Sequence, residues 1–274
     1  MRKAFGLVSF LAVALTGGAF GQSAPAPSVE LDAPYVPTPP FVVKAMLSMG
    51  GVGPGDIVYD LGSGDGRLPI AAVKDFGAAK GVGIDLDPVR VAEARANARK
   101  AGVEDRVTFH EGDMFAFDFS EATVMPLYLL PDMMIKLRPK ILELKPGSRV
   151  VAHDYALGDW EADKVEALDK RTLYLFIVPA KVAGKWEWRM SGRTYRVDLG
   201  QTYQKVAGTL YVDEVQTPVQ IPVLHGDSLK FEARLPGPGG TQPLAFDGKV
   251  AGDSIEADVV LAGRTTKVTA KRVP

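Results

Sequence analysis

Asp60-Leu61-Gly62-Ser63-Gly64-Asp65-Gly66-Arg67 reads as the turn between a buried strand and a helix. The strand is the short apolar run Asp56-Ile57-Val58-Tyr59-Asp60-Leu61, and residues 67–76 follow with helical period, closed by Gly77. Glycines at such a turn let the backbone bend sharply and approach a ligand closely. The spacing is not the Gly-x-Gly-x-x-Gly of dinucleotide sites: the third glycine comes one place early, and Arg67 stands in its slot.

Working outward, Gly81-Val82-Gly83-Ile84-Asp85 is a second strand, and Asp87 caps a helix opened by Pro88 and closed near Gly102. Residues 106–110, 122–128, 149–154 and 172–178 supply four more strands. Between the fourth and fifth lies a helix with Met134, Leu137, Ile141 and Leu144 in register, kinked at Pro139. Upstream, Thr38 is expected to N-cap a helix over residues 39–49 with Pro39 in its first position. Strands alternating with helices predict a Rossmann-like α/β domain with a parallel sheet covered on both faces, over residues 34–183. Beyond Gly184 the period changes to two: in residues 229–235 the apolar side chains fall on one face and the charges on the other. About eight such runs predict an all-β, barrel-like C-terminal domain over residues 184–274, with Trp186 and Trp188 plugging one end.

The other end of the chain bears on compartment. Arg2 and Lys3 precede an uncharged apolar run over residues 4–20, and Ala19-Phe20-Gly21 fits a small-x-small cleavage pattern. That predicts a signal peptide over residues 1–21, or an outward-facing anchor, followed by a linker over residues 22–33. The folded part is thus expected to be exported, with membrane proximity through the N-terminal segment. There is no cysteine, so a thiol nucleophile and a Cys-ligated zinc are excluded. A net charge of −1 gives no electrostatic reason to expect nucleic acid. The three histidines (His110, His153 and His225) show no metal-ligand spacing, and no metal is expected.

Charge separates the possible cofactors. A pyrophosphate would be repelled by Asp60 and Asp65, whereas S-adenosylmethionine (SAM) has no phosphate and brings an ammonium and a sulfonium. Asp85 ends the second strand at the place where a carboxylate accepts ribose hydroxyls. Asp113 and Met114, after the third strand, suit an adenine amine and ring. Ser63, Gly66 and Leu86 complete the expected cofactor shell with Asp60, Gly62, Gly64, Asp65, Asp85, Asp113 and Met114. Methyl transfer needs a positioned, deprotonated acceptor. Tyr128, Asp154, Tyr35 and Thr38 are the candidates at the acceptor end, with His153 more simply read as a strand-end histidine.

With these residues in place, the N-terminal domain resembles the class I SAM-dependent methyltransferases. Within them it is most similar to the mitochondrial-type protein-lysine methyltransferases and their bacterial relatives. Pro34-Tyr35-Val36-Pro37-Thr38, residues 60–67, 129–144 and 147–151 carry the resemblance, which extends over residues 34–160. It implies SAM contacts at Asp60, Gly62, Gly64, Asp85 and Asp113, and an acceptor lysine framed by residues 35–38. Met125-Pro126-Leu127-Tyr128 departs from the Asn-Pro-Pro-Tyr of amide and nucleobase methylases, and the family lacks the β-domain. The resulting expectation is methylation of an amine, foremost a protein lysine. A non-catalytic SAM-binding scaffold, or a small-molecule or lipid methyltransferase with the acceptor in the β-domain, are the alternatives.

Overall fold

The computed structural model describes residues 35–237 and 239–274. The expected signal peptide and linker lie outside the described residues. The chain opens with α1 (Pro40–Met49), which starts one residue later than expected. Its N-cap is Pro39, and Thr38 makes no side-chain cap; its carbonyl instead accepts from Arg67 Nη1 at 2.6 Å.

Then follow β1 (Ile57–Leu61), α2 (Arg67–Phe76), β2 (Lys80–Asp85), α3 (Pro88–Ala101), β3 (Val107–Glu111), β4 (Val124–Leu127), α4 (Pro131–Ile141) and β5 (Arg149–His153). The local signals act as their chemistry dictates. Gly77 and Gly102 take left-handed backbone at the ends of α2 and α3, and Asp87 accepts from Val89 N–H at 2.8 Å to cap α3. Strands β3, β2, β1, β4 and β5 lie side by side and parallel in that order.

Alternation along these strands builds two separate apolar layers. Val58, Val124 and Val151 pack with α1, α2 and α3, while Tyr59, Leu61, Met125, Leu127, Val150 and Ala152 pack with Met134, Leu137 and Ile141 of α4. The sheet is therefore covered on both faces, but it is not wholly parallel. The sixth strand, β7 (Arg171–Ile177), pairs antiparallel with β5, and an unforeseen strand, β6 (Lys164–Leu168), closes a hairpin with it at the edge. Asp169 at φ 55° makes the tight return between them.

The remaining strands form a second, nine-stranded antiparallel sheet: β8 (Gly184–Met190), β9 (Arg193–Thr202), β10 (Lys205–Val212), β11 (Val215–Pro218), β12 (Gln220–His225), β13 (Ser228–Gly237), β14 (Gly240–Ala251), β15 (Ser254–Leu261) and β16 (Arg264–Val273). Among the described residues no strand is shared with the first sheet, so the change of architecture falls on either side of Ala183. The sheet is not closed as a barrel: β11 and β12 are its edges, and among the described residues no ladder joins them. The register of β12 shifts between Gln220 and Val223, across Pro222 and an Ile221 held at φ 48°, and a proline supplies no N–H to a ladder. Nine strands replace the expected eight, because the single residue Val219 separates β11 from β12. The apolar face is filled by side chains. Trp186, Trp188, Tyr195, Phe231 and Phe246 are all buried in one cluster, with Trp188 stacked on Tyr195 and the Trp186 indole donating to the Val182 carbonyl at 2.8 Å.

Residues 180–183 are not a free linker between the sheets. Ala180 N–H donates to Gly226 O, Val182 N–H donates to Gln201 Oε1, and Arg272 donates to the carbonyls of Lys181 and Ala183.

Candidate SAM site

Strand order reverses between β1 and β4, and the crevice beyond their C-terminal ends is where ligands bind in doubly wound sheets. A cavity of about 270 Å³ lies there. Its walls bring together Tyr35, Thr38, Asp60, Gly62, Ser63, Gly64, Asp65, Asp85, Leu86, Asp113, Met114 and Tyr128, from five separate segments. Two expected residues are set apart. Gly66 is not on the cavity wall; at φ 80° it is the left-handed N-cap of α2, packed so tightly that an added Cβ would lie 2.4 Å from Phe109 Cζ. Asp154 does not line the cavity either, because its carboxylate is held by Arg171 Nη1 at 2.7 Å and Thr172 N–H at 3.0 Å.

The turn is shaped by its acids as much as by its glycines. Asp85 reaches across from β2 to accept from Gly64 N–H at 2.7 Å and from Asp87 N–H at 2.9 Å. A carboxylate has about four acceptor positions, so lone pairs remain for ribose hydroxyls. Asp65 is not a free charge. Burial raises its carboxyl, but the Arg67 guanidinium, donating at 2.9 and 2.6 Å, outweighs that and leaves it below the usual range. The repulsion of pyrophosphate expected of this residue is thereby largely cancelled. Arg67 then donates to the Thr38 carbonyl, tying the segment before α1 to the turn.

Asp60 is the opposite case. It is 3 % exposed, and among the described residues its carboxylate accepts no hydrogen bond and faces no cation. Burial, and then the nearby Asp85 and Asp65, push its carboxyl well above the ordinary range. A buried acid without a donor, on the wall of a cavity, suits a ligand that brings its own positive charge.

The acceptor end is aromatic and apolar. Tyr35, whose ring sits over Gly64 and under Arg90, meets Tyr128, Leu129, Leu130, Met133 and Tyr155 around the cavity. Behind Tyr128 lies His153, 1 % exposed, with ring centroids 4.0 Å apart. Among the described residues both His153 nitrogens lack a hydrogen-bond partner, and burial lowers its tendency to charge despite Asp154 at 3.4 Å. Leu130, Met133, Arg90 and Tyr155 were not foreseen. The first two fall within residues 129–144, which carry the resemblance, and Tyr155 adjoins Asp154.

Fold and site together define a class I SAM-dependent methyltransferase. The family described as the ANTKMT methyltransferase domain matches residues 60–164. A protein-lysine N-methyltransferase of Saccharolobus islandicus is 44 % identical over 150 residues, which cover 53 % of this chain and 93 % of that protein. An adenine nucleotide translocase lysine N-methyltransferase of Mus musculus is 34 % identical over 134 residues, 48 % of this chain and 58 % of that one. The crystal structure of an RNA methyltransferase from Salinibacter ruber, in complex with S-adenosyl-L-homocysteine, superposes with a TM-score of 0.52 at 49 % identity, over 54 % of this chain and 96 % of that one. The chain belongs to the protein-lysine N-methyltransferase family within this class. The matches span about half of the chain, and SAM is its cofactor.

Proposed function

We propose that the protein methylates a lysine side chain of a protein acceptor. The observation that carries this reading is the 44 % identity to the archaeal protein-lysine N-methyltransferase across 93 % of its length. SAM, when bound, supplies a methyl group already activated by its sulfonium. Asp60 would hold its positive charge, Asp85 the ribose hydroxyls, and Asp113 with Met114 the adenine.

This leaves the chain two tasks, to place the amine and to deprive it of its proton. A free lysine ammonium gives up its proton only near pH 10.4. Apolar walls disfavour the charged form, and Leu129, Leu130 and Met133 provide such walls beside the tyrosines. The hydroxyls of Tyr35 and Tyr128 can accept from the amine and orient its lone pair, and Tyr155 adds a third aromatic ring to the lining.

An RNA acceptor is the second reading, favoured by the name of the 49 % identical Salinibacter enzyme. Calorimetry and a labelled methyl-transfer screen test both. S-adenosyl-L-homocysteine should bind and NAD should not, and label should enter protein. NAD binding of equal strength would overturn the cofactor assignment, and label entering RNA alone would overturn the lysine reading.

The positive-apolar-small order of residues 2–21 supports export, with the catalytic domain facing outward near a membrane. Mass spectrometry of the protein recovered from outside the cytoplasm should find a chain beginning at Gln22; recovery of the intact chain from the cytoplasm would refute this. The lipid-acceptor alternative has lost its basis in the second sheet, whose apolar face is occupied by its own tryptophans and phenylalanines.

A further inference from the structure

The β-domain has no counterpart in the resemblance, yet one of its hairpin tips is built into the methyltransferase core. Tyr203 and Gln204 form the two-residue turn between β9 and β10. Gln204 Oε1 accepts from the indole N–H of Trp160 at 2.9 Å, and Gln204 Nε2 donates to the Glu161 carbonyl at 2.7 Å. Trp160 is 1 % exposed and belongs to the apolar layer under α4, so its N–H has no water to turn to. Tyr203 stacks on Trp160 with ring planes 17° apart, donates its hydroxyl to Asp159 at 3.0 Å, and lies beneath the Arg138 guanidinium.

Tyr203 holds this position at φ 53°, a left-handed backbone that bulky residues rarely adopt. A two-residue hairpin turn favours glycine or asparagine at such a place. The surroundings of the ring, not the turn, account for a tyrosine there.

The consequence runs toward the cavity. Arg138 of α4 donates to the Leu157 carbonyl at 2.8 Å and pairs with Asp159, so residues 157–159 are wrapped around it. Gly158 leaves room for that guanidinium: an added Cβ would lie 2.6 Å from Arg138 Nη1. Two residues before this wrapped segment stands Tyr155, on the cavity wall, and earlier on α4 stands Met133, on the same wall. The hairpin tip therefore grips the far end of the loop whose near end faces the acceptor.

We propose that Tyr203 and Gln204 are positioning residues for the acceptor side of the active site, through residues 155–161. This rests on the methyl-transfer reading above. It predicts that the β-domain governs acceptor use in cis, without contacting SAM.

The test uses the full chain with Tyr203→Ala and Gln204→Ala, beside Tyr203→Phe, which keeps the stack and loses only the hydroxyl. Hydrogen exchange of residues 154–161, measured with no acceptor present, should quicken at least tenfold in both alanine variants and only slightly in Tyr203→Phe. Affinity for S-adenosyl-L-homocysteine should stay within twofold, because Asp60, Asp85 and the glycine turn lie on other segments. With the acceptor identified in the labelled screen, KM should rise roughly tenfold, more than kcat falls. Unchanged exchange in residues 154–161 would overturn the proposal, as would a parallel loss of cofactor affinity, which would mean general unfolding. Because exchange and cofactor affinity are read without turnover, failure of the lysine reading leaves this outcome separately measurable.

Discussion

Asp60→Asn should weaken binding of SAM and S-adenosyl-L-homocysteine about ten- to a hundredfold, and should raise the melting temperature of the ligand-free protein. Both effects come from one charge. The carboxylate is buried beside Asp85 and Asp65 and has no donor among the described residues, so without ligand its ionisation works against the fold. The amide has nearly the same shape and no charge, which removes that cost. With ligand the sign reverses, because a charge-assisted contact worth about 1.5–3 kcal/mol is lost, a factor of roughly ten to a hundred in affinity.

The pH dependence follows from the same shift. The folded state holds the Asp60 proton more tightly than the unfolded state, so this residue's contribution to stability is lost as pH rises from the ordinary carboxylate value through the raised one. The asparagine variant should lack that decline. Binding of a cation to native Asp60 should release a proton, measurable by calorimetry in two buffers of different ionisation enthalpy. A variant that melts lower and binds normally would show Asp60 to be a structural residue with no part in binding.

Much of this site is legible in the sequence because it is local. Strand, glycine turn and helix follow one another within residues 57–76, and each carboxylate that lines the cavity ends or follows a strand. Once a parallel sheet is recognised, strand ends converge, and Asp60, Asp85 and Asp113 meet without any further information. What escapes is decided across long separations. The Arg67–Asp65 pairing cancels a charge that spacing alone counts as free. Strand β6 is exposed along nearly its whole length, and its short alternation, Val165 and Ala167 against Lys164 and Glu166, has no core to face; its pairing with β7 makes it a strand. The grip of Tyr203 on Trp160 joins residues far apart in sequence, and nothing in the alternation of β9 or β10 distinguishes the tip from any polar turn. Asp154 fails for the same reason: its place at a strand end is local, but Arg171 is supplied by the returning hairpin.

The glycine turn allows a sharper separation of fold from function, because two of its glycines are required for different reasons. Gly66→Ala should destabilise the protein, and Gly64→Ala should chiefly impair the site. Both positions have left-handed backbone, φ 80° and φ 52°, which costs an alanine about 1–2 kcal/mol. The neighbours differ. A Cβ on Gly66 would lie 2.4 Å from Phe109 Cζ and 3.0 Å from Ala94 Cβ, two buried residues on β3 and α3 that can yield only by moving those elements. Overpacking of that kind adds about 1–3 kcal/mol, for a total of roughly 2–5 kcal/mol. For a chain of this size that lowers the melting temperature by roughly 4–20 °C. A Cβ on Gly64 would lie 2.4 Å from Tyr35 Cε2, but Tyr35 is 42 % exposed, so its ring can shift at the cost of its contact with Arg90 and without moving a strand or helix. The fold then bears little more than the backbone cost, while the cavity loses one wall of its acceptor end. Thermal melts with titration of S-adenosyl-L-homocysteine and acceptor kinetics separate the two variants. Gly66→Ala should melt much lower than Gly64→Ala, and Gly64→Ala should show the larger rise in acceptor KM relative to its loss of stability. Equal melting temperatures would mean that α3 and β3 tolerate the added methyl, and that the third glycine is not what holds the helix against the sheet.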